Sequence, residues 1–302
     1  MTPSQRGVSV RGLNRSFQSF RRPPQHVLRG IDLDIAQGEV VGLIGPNGAG
    51  KTTLMSCLLG FLFPDSGEVT IDGRPNDDLS IRRRTGFVPE RMNFDRRATG
   101  RDFLRYMTRL SGIAASEAEG RVEAMLVRVG LSDAVHKRLS QYSRGMLQRI
   151  AMAQAIIHDP AFVFLDEPTS GLDPHGLLLV RDLIMEQKQR GATVLLNSHQ
   201  LSEVEKVCDR VLFLSGGVIA REETLRGMLR ITVVITLLTG TFDVESIARV
   251  VDVAPVGNVV TATLGDDGEV AALVRRIVET GAGVVDVRRQ TADLEGIFRG
   301  VA

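Results

Sequence analysis

Gly45-Pro46-Asn47-Gly48-Ala49-Gly50-Lys51-Thr52 fits the spacing G-x-x-x-x-G-K-[ST]. Glycines at that spacing let successive backbone N–H groups close around phosphate oxygens, and a lysine there reaches the terminal phosphates. Thr52, followed by Thr53, offers a hydroxyl to Mg²⁺. Lysine otherwise occurs only at Lys137, Lys188 and Lys206, so a lysine-rich composition does not explain the match. A second group, Asp166-Glu167, directly follows the apolar run Phe162-Val163-Phe164-Leu165. Asp166 is expected to hold Mg²⁺ through its water shell, and Glu167 to position and deprotonate an attacking water. An isolated carboxylate pair would merely end a strand or cap a helix; beside a phosphate loop the expected chemistry is binding of ATP with Mg²⁺ and hydrolysis of the nucleotide.

Such groups need a rigid edge to stand on. Residues 40–44, 162–165, 193–196 and, more weakly, 211–214 are apolar runs rich in β-branched residues, the pattern of parallel strands covered on both faces. The first three deliver GPNGAGKTT, DEPTSGLD and NSHQ from their C-terminal ends, the edge at which open α/β sheets bind ligands. Residues 8–10 and 31–35 alternate as half-buried strands, and 69–71 meets the turn signal Asp72-Gly73, which together predict a small antiparallel sheet. From Thr99 to about His158 the period turns helical: Phe103, Leu104, Met107 and Leu110 share one face, and Val122, Met125, Leu126 and Val129 another. After Gly227 the rhythm becomes strand (231–238), helix (244–251), strand (259–264), helix (270–279) and strand (284–287). The expectation is an α/β P-loop NTPase core with an antiparallel β side sheet over 1–226, a helical insertion at about 91–158, and a small C-terminal α+β domain over 227–302.

Composition narrows the partners. A formal net charge of +1 supplies no field to draw in a polyanion, so no nucleic acid is expected. Cys57 and Cys208 are far apart without CxxC spacing, which argues against a disulfide, against zinc or any stable metal other than Mg²⁺, and for a reducing cytoplasm. The opening MTPSQRGVSV lacks the apolar core of a secretory signal, and 231–238 is too short for a span of about 20 apolar residues. A membrane role would need a partner. The basic runs Arg82-Arg83-Arg84 and Arg96-Arg97 are solvated surface or, near Glu90, face such a partner or lipid headgroups.

Tyr142-Ser143-Arg144-Gly145-Met146, Ser170-Gly171-Leu172-Asp173 and His199 follow in register, and with them the chain resembles the nucleotide-binding subunits of ABC transporters from about residue 8 to 214. They look like that family's signature, D-loop and switch histidine. The resemblance implies a homodimer that sandwiches two ATP molecules, each between one chain's phosphate loop and the other's signature residues Ser143 and Gly145, with Asp173 close by. It also implies that His199 touches the γ-phosphate and the attacking water, and that Phe17, with Phe20 as substitute, stacks on adenine; a core role is the alternative for Phe17. In Val88-Pro89-Glu90 the family usually ends on glutamine; Glu90 is expected to ligate Mg²⁺ or else is simply the exposed end of a strand. Ser143 is also a good N-cap for a helix carrying Met146, Leu147, Ile150, Ala153 and Ile157, and would be an ordinary cap if taken alone.

The family's commonest signature is LSGGQ, so Arg144 replaces a glycine and Met146 a glutamine. YSRGM resembles exporters that pair soluble ATPases with separate integral membrane permeases, and the ending Asp293-Leu294-Glu295-Gly296-Ile297-Phe298 is similar to the SLE-x-x-F of that branch. The implied location is cytoplasmic, peripheral on the inner face of the cell membrane. Two rivals remain: a soluble ABC ATPase acting on nucleic acid or ribosomes, and a generic P-loop kinase or switch, which would leave YSRGM and SGLD unexplained together. The transported substrate is not legible.

Overall fold

Runs in which every side chain is apolar are satisfied only by burial on both faces, and such runs lie side by side in the computed structural model, which describes residues 7–19, 22–225, 231–238, 253–256, 259–264, 267–279, 281–290 and 294. The chain divides into two compact units, one reaching Glu223 and one over Thr224–Gly300.

In the first unit β1 (Gly7–Ser19) pairs antiparallel with β2 (Arg22–Ala36). β3 (Val40–Ile44) leads through the glycine loop into α1 (Lys51–Leu58). β4 (Ser66–Ile71) and β5 (Arg74–Pro75) turn about Asp72 and Gly73, both at positive φ, and complete a side sheet of order β2-β1-β4-β5. β1 and β2 are much longer than the alternating segments 8–10 and 31–35, because register shifts beyond Val10 break the period of two while pairing continues.

After α2 (Leu79–Arg82) and β6 (Thr85–Val88) come α3 (Gly100–Leu110), α4 (Ala115–Arg128) and α5 (Arg144–Ile156). β7 (Phe162–Asp166), α6 (Pro174–Gln189), β8 (Thr193–Asn197), α7 (Leu201–Val207), β9 (Arg210–Ser215) and β10 (Val218–Thr224) follow. The main sheet has the order β10-β9-β3-β8-β7-β6. β3 is parallel to β8 and β9, and β7 to β8 and β6. The C-terminal ends of β3, β8 and β7 are therefore neighbours, although some 120 residues separate the first from the second motif. α1 packs among Val8, Leu13 and Ile31 of the side sheet and Phe162 and Phe164 of the main sheet, with Leu54 and Leu58 in one continuous core.

In α3 Phe103, Met107 and Leu110 share a face, as the period predicts, and that face lines an open groove. Leu104 is buried and Phe103 and Met107 are half-buried, but Leu110 is 61% exposed and Thr108 takes the interior position, its hydroxyl donating to the Arg105 carbonyl at 2.8 Å. α5 closes on β6: Gln154 Nε2 donates to the Phe87 carbonyl at 2.6 Å, and a Cβ at Gly86 would lie 1.9 Å from the Ala155 carbonyl, so only glycine admits this approach. Ahead of α5 the buried Tyr142 hydroxyl donates to the Ala134 carbonyl at 2.9 Å, which fixes the start of the helix.

His158, after α5, has Nδ1 buried without a partner among the described residues. Burial lowers its pKa, partly offset by a hydrogen bond to the Thr85 backbone. A base with a depressed folded-state pKa contributes stability that is fully present above its unfolded value, about 6.5, and is lost progressively as pH falls from there through the lower folded value. His158→Gln should flatten the decline in melting temperature between about pH 7 and pH 5; an unchanged slope would remove His158 as the cause.

The second unit comprises β11 (Ile231–Leu237), β12 (Val253–Val256), β13 (Val259–Leu264), α8 (Asp267–Glu279) and β14 (Val284–Gln290). Its sheet has the order β12-β13-β11-β14, antiparallel throughout, the strand order of a split βαβ fold. Val233, Ile235, Val260, Ala262, Leu273 and Ile277 form its core beneath α8. β12 had no sequence signal, since its four residues include Pro255. The expected helix 244–251, Phe20, the boundary at 226/227 and the final hexapeptide apart from the buried Leu294 lie outside the described residues.

Candidate functional site

β3 ends at Ile44, and Gly45 follows so tightly that a Cβ there would lie 2.2 Å from the Leu214 carbonyl of β9. Gly50 caps α1 at φ 108, a conformation that any side chain would strain. The loop between them wraps the start of α1, and Lys51 folds back over it, Nζ donating to the carbonyls of Gly45 at 2.7 Å and Pro46 at 3.1 Å. Burial lowers the Lys51 pKa, while the charges of Glu167, Asp166 and Glu90 raise it.

Across a cleft of about 630 Å³, Glu167, the residue after β7, lines the opposite wall, with Asp166 at the strand end behind it. Asp166 is 3% exposed and accepts hydrogen bonds from Asn197 Nδ2 and from Thr52. Burial raises its pKa; the hydrogen bond from Asn197 opposes this. Glu167 sits at φ 53, uncommon for a residue with a side chain, and its N–H donates to the Asn197 carbonyl at 2.9 Å. This turn swings its carboxylate toward His199, with Nδ1 and Oε2 2.7 Å apart. The pair is asymmetric in access: the Glu167 side chain is 13% exposed and that of His199 63%. Burial raises the Glu167 pKa, and the neighbouring His199 partly lowers it.

Asn47, Gly48, Gly50, Lys51, Thr52, Thr53, Glu90, Glu167 and His199 all line this cleft. Gly45 and Ala49 pack beneath it instead, and Pro46 contributes a carbonyl to Lys51. Sequence reasoning did not single out Gln25, Val27 or Asn197, and it named Ser170 only within the D-loop-like run. Phe17 is 41% exposed, not a core residue, with the Arg15 guanidinium 5.1 Å from its ring centroid. It borders an adjoining hollow that shares Gln25, Val27 and Gly48 with the cleft.

Ser143, Gly145 and Asp173 do not line the cleft. Ser143 caps α5, its Oγ accepting from the Met146 N–H at 3.2 Å, and Asp173 caps α6, accepting from Gly176 N–H at 2.7 Å. A larger groove of about 830 Å³ lies on the side sheet, but it carries none of the motif residues, and its Arg11 and Arg210 are paired with Asp34, Glu39 and Glu222.

The donor set beside Lys51 suits Mg²⁺. The Thr52 hydroxyl and the Asp166 and Glu90 carboxylates are hard oxygen donors, and Asn197 Oδ1 is buried there without a partner among the described residues. Among those residues no cluster of three or more acidic, His or Cys side chains forms a closed metal cage; Mg²⁺ bound to phosphates keeps several waters and takes only one or two carboxylates.

Residues 28–170 match the family model described as ABC transporter. An uncharacterised ABC transporter ATP-binding protein of Nostoc is 48% identical over 63% of this chain, and that match spans 57% of the relative, little more than half its length. A fluoroquinolones export ATP-binding protein of Mycobacterium tuberculosis is 36% identical over 70% of this chain and 68% of its own. An ATP-binding cassette solved as a dimer in a post-hydrolysis state with ADP and Pi superposes with a TM-score of 0.68 at 26% identity, covering 73% of this chain and 99% of the cassette.

Proposed function

Because the chain belongs to the ABC transporter ATP-binding proteins, we propose that it hydrolyses ATP as the motor of a transporter, closing with a second copy around two nucleotides and driving a separate membrane permease. The observation that carries this reading is the Glu167–His199 pair at 2.7 Å, set opposite Lys51 in one cleft. Gly48, Gly50 and Lys51 hold the phosphates by N–H groups and one ammonium. Glu167 takes the proton of the attacking water, and His199 orients its carboxylate and reaches the γ-phosphate. Thr52, Asp166 and Glu90 would hold Mg²⁺, which neutralises phosphate charge when bound. Phe17, which shares a hollow with Gly48 beside the cleft, would stack on the base.

Ser143, Gly145 and Asp173 then act toward the nucleotide of the second chain. A helix N-terminus favours an anion, so α5 is drawn to a γ-phosphate and released when it departs. Dimeric assembly in the solved cassette supports this arrangement. An apolar groove of about 570 Å³ between Phe87, Met92, Phe94, Phe103 and Met107, rimmed by Arg82 and Arg83, adjoins Pro89 and offers a surface for a permease. Among the described residues no helix is long and apolar enough to cross a membrane; the proposed location is the cytoplasmic face of the membrane. Export is supported by YSRGM and by the printed role of the mycobacterial relative.

Phosphate release from ATP by the purified chain, titrated with Mg²⁺, tests this reading; no turnover at any Mg²⁺ concentration contradicts it. In the same assay Glu90→Gln should keep most turnover, since an amide oxygen replaces one ligand oxygen. Glu90→Ala should lower it about three- to tenfold at limiting Mg²⁺, the loss of one metal-linked contact. Superimposable curves for Glu90→Ala and the parent would exclude Glu90 from the metal. Purification from its own membranes should bring an integral membrane protein with it.

A further inference from the structure

Arg144 occupies a signature position at which the family's commonest form has glycine, and nothing in ATP closure as described uses it. It is the first residue of α5 and is exposed. Its Nη2 donates to the Ser170 hydroxyl at 2.7 Å. The same side chain lies against Gly171, where a Cβ would come within 2.5 Å of its Nε and 2.7 Å of its Cδ. Gly171 is at φ 75, so the turn is both shaped and cleared for the arginine. Ser170 lines the nucleotide cleft beside Glu167 and His199, and its N–H donates to the Glu167 carbonyl at 3.2 Å. The contacts thus run without a break from the start of α5, through Arg144 and Ser170, to the residue that carries the base.

We propose that Arg144 is a positioning residue that ties the N-terminus of α5 to the Ser170-Gly171 turn of its own chain, and so sets Ser170 and Glu167 for hydrolysis. The start of α5 that meets one nucleotide is thereby linked to the carboxylate that acts on another. A charged donor on a neutral hydroxyl is a strong directional contact, whereas a glycine at 144 would leave the turn held only by its backbone. The planar fork also covers Gly171 in a way a lysine ammonium does not. The functional consequence rests on the ATPase reading; the tether itself does not.

The test compares the full-length parent with Arg144→Gly, Ser170→Ala and the double variant. Each single change should lower kcat about three- to tenfold, the effect of one lost contact, with KM for ATP changed less than about twofold. The double variant should be no slower than the slower single, because both remove the same contact. Amide hydrogen exchange at Ser170, Gly171 and Leu172 should quicken in Arg144→Gly while exchange along β7 stays at the parent rate. Unchanged kcat in the singles, or multiplying losses in the double, overturns the proposal. A raised KM at constant kcat also overturns it and places Arg144 on nucleotide instead. If the parent shows no turnover, the ATPase reading falls, and the exchange rates alone decide whether the tether exists.

Discussion

Glu167→Gln should lower ATP turnover about a hundred- to a thousandfold, within the range for loss of a general base, while ATP still binds. The carboxylate is held by three independent constraints. Its backbone is turned at φ 53, its N–H is bound to the Asn197 carbonyl, and Oε2 lies 2.7 Å from His199 Nδ1. Glutamine preserves the shape and can satisfy His199, so the cleft keeps its form; it lacks only the ability to accept a proton from water. Burial raises the Glu167 pKa, which makes the carboxylate a stronger base at neutral pH. The sign of the pH effect follows. Protonation removes the base, so parental turnover should fall on acidification beginning above the ordinary glutamate range, and the residual rate of Glu167→Gln should lack that limb. Single-turnover kinetics with direct nucleotide titration separates the two effects; parental turnover in Glu167→Gln would remove it as the base.

Lys51→Ala should act on the other step and weaken ATP binding by at least about thirtyfold, roughly 2 kcal/mol or more, as expected when one partner of a partly buried charge contact is removed. Asp166, Glu167 and Glu90 all act on the Lys51 ammonium. Without it, the incoming phosphates meet three carboxylates with one fewer compensating charge. Lys51 Nζ is held by two loop carbonyls, at 2.7 Å and 3.1 Å, contacts that a phosphate oxygen would replace. Removing it therefore also loosens the loop that must present its N–H groups. Calorimetric titration with ATP measures the effect, and an affinity within about twofold of the parent, under 0.5 kcal/mol, would contradict it.

The core of this site was legible because parallel strands buried on both faces read as continuous apolar runs. The polar residues that end them at 45–52, 166–167 and 199 stand where such a sheet exposes its loops. Asn197 was harder. It is the last residue of β8, and only its pairing with Asp166 in the neighbouring β7 gives its amide a partner; a strand neighbour far away in sequence leaves no local signal. Gln25 and Val27 reach the cleft from β2, whose placement depends on the whole side sheet. The exposure of Leu110 was not legible for a different reason. Helical periodicity marks an apolar face without saying what covers it, and Leu110 lines the open groove beside Phe103 and Met107 rather than the interior. Ser143 was recognisable as a helix cap from residue type, whereas Asp173 was read only within the SGLD run; the structure gives both a capping role. Their distance from the cleft of their own chain is what makes a second chain necessary to the proposed function.

That necessity is open to direct measurement by light scattering coupled to size-exclusion chromatography on Glu167→Gln, with ATP and Mg²⁺ in the column buffer. A variant that binds but does not hydrolyse should accumulate as a closed pair, so the mass should be twice that of the 32.9 kDa chain with ATP and return to that of a single chain with ADP. A mass of one chain at saturating ATP, in a variant shown by titration to be loaded, would contradict the account.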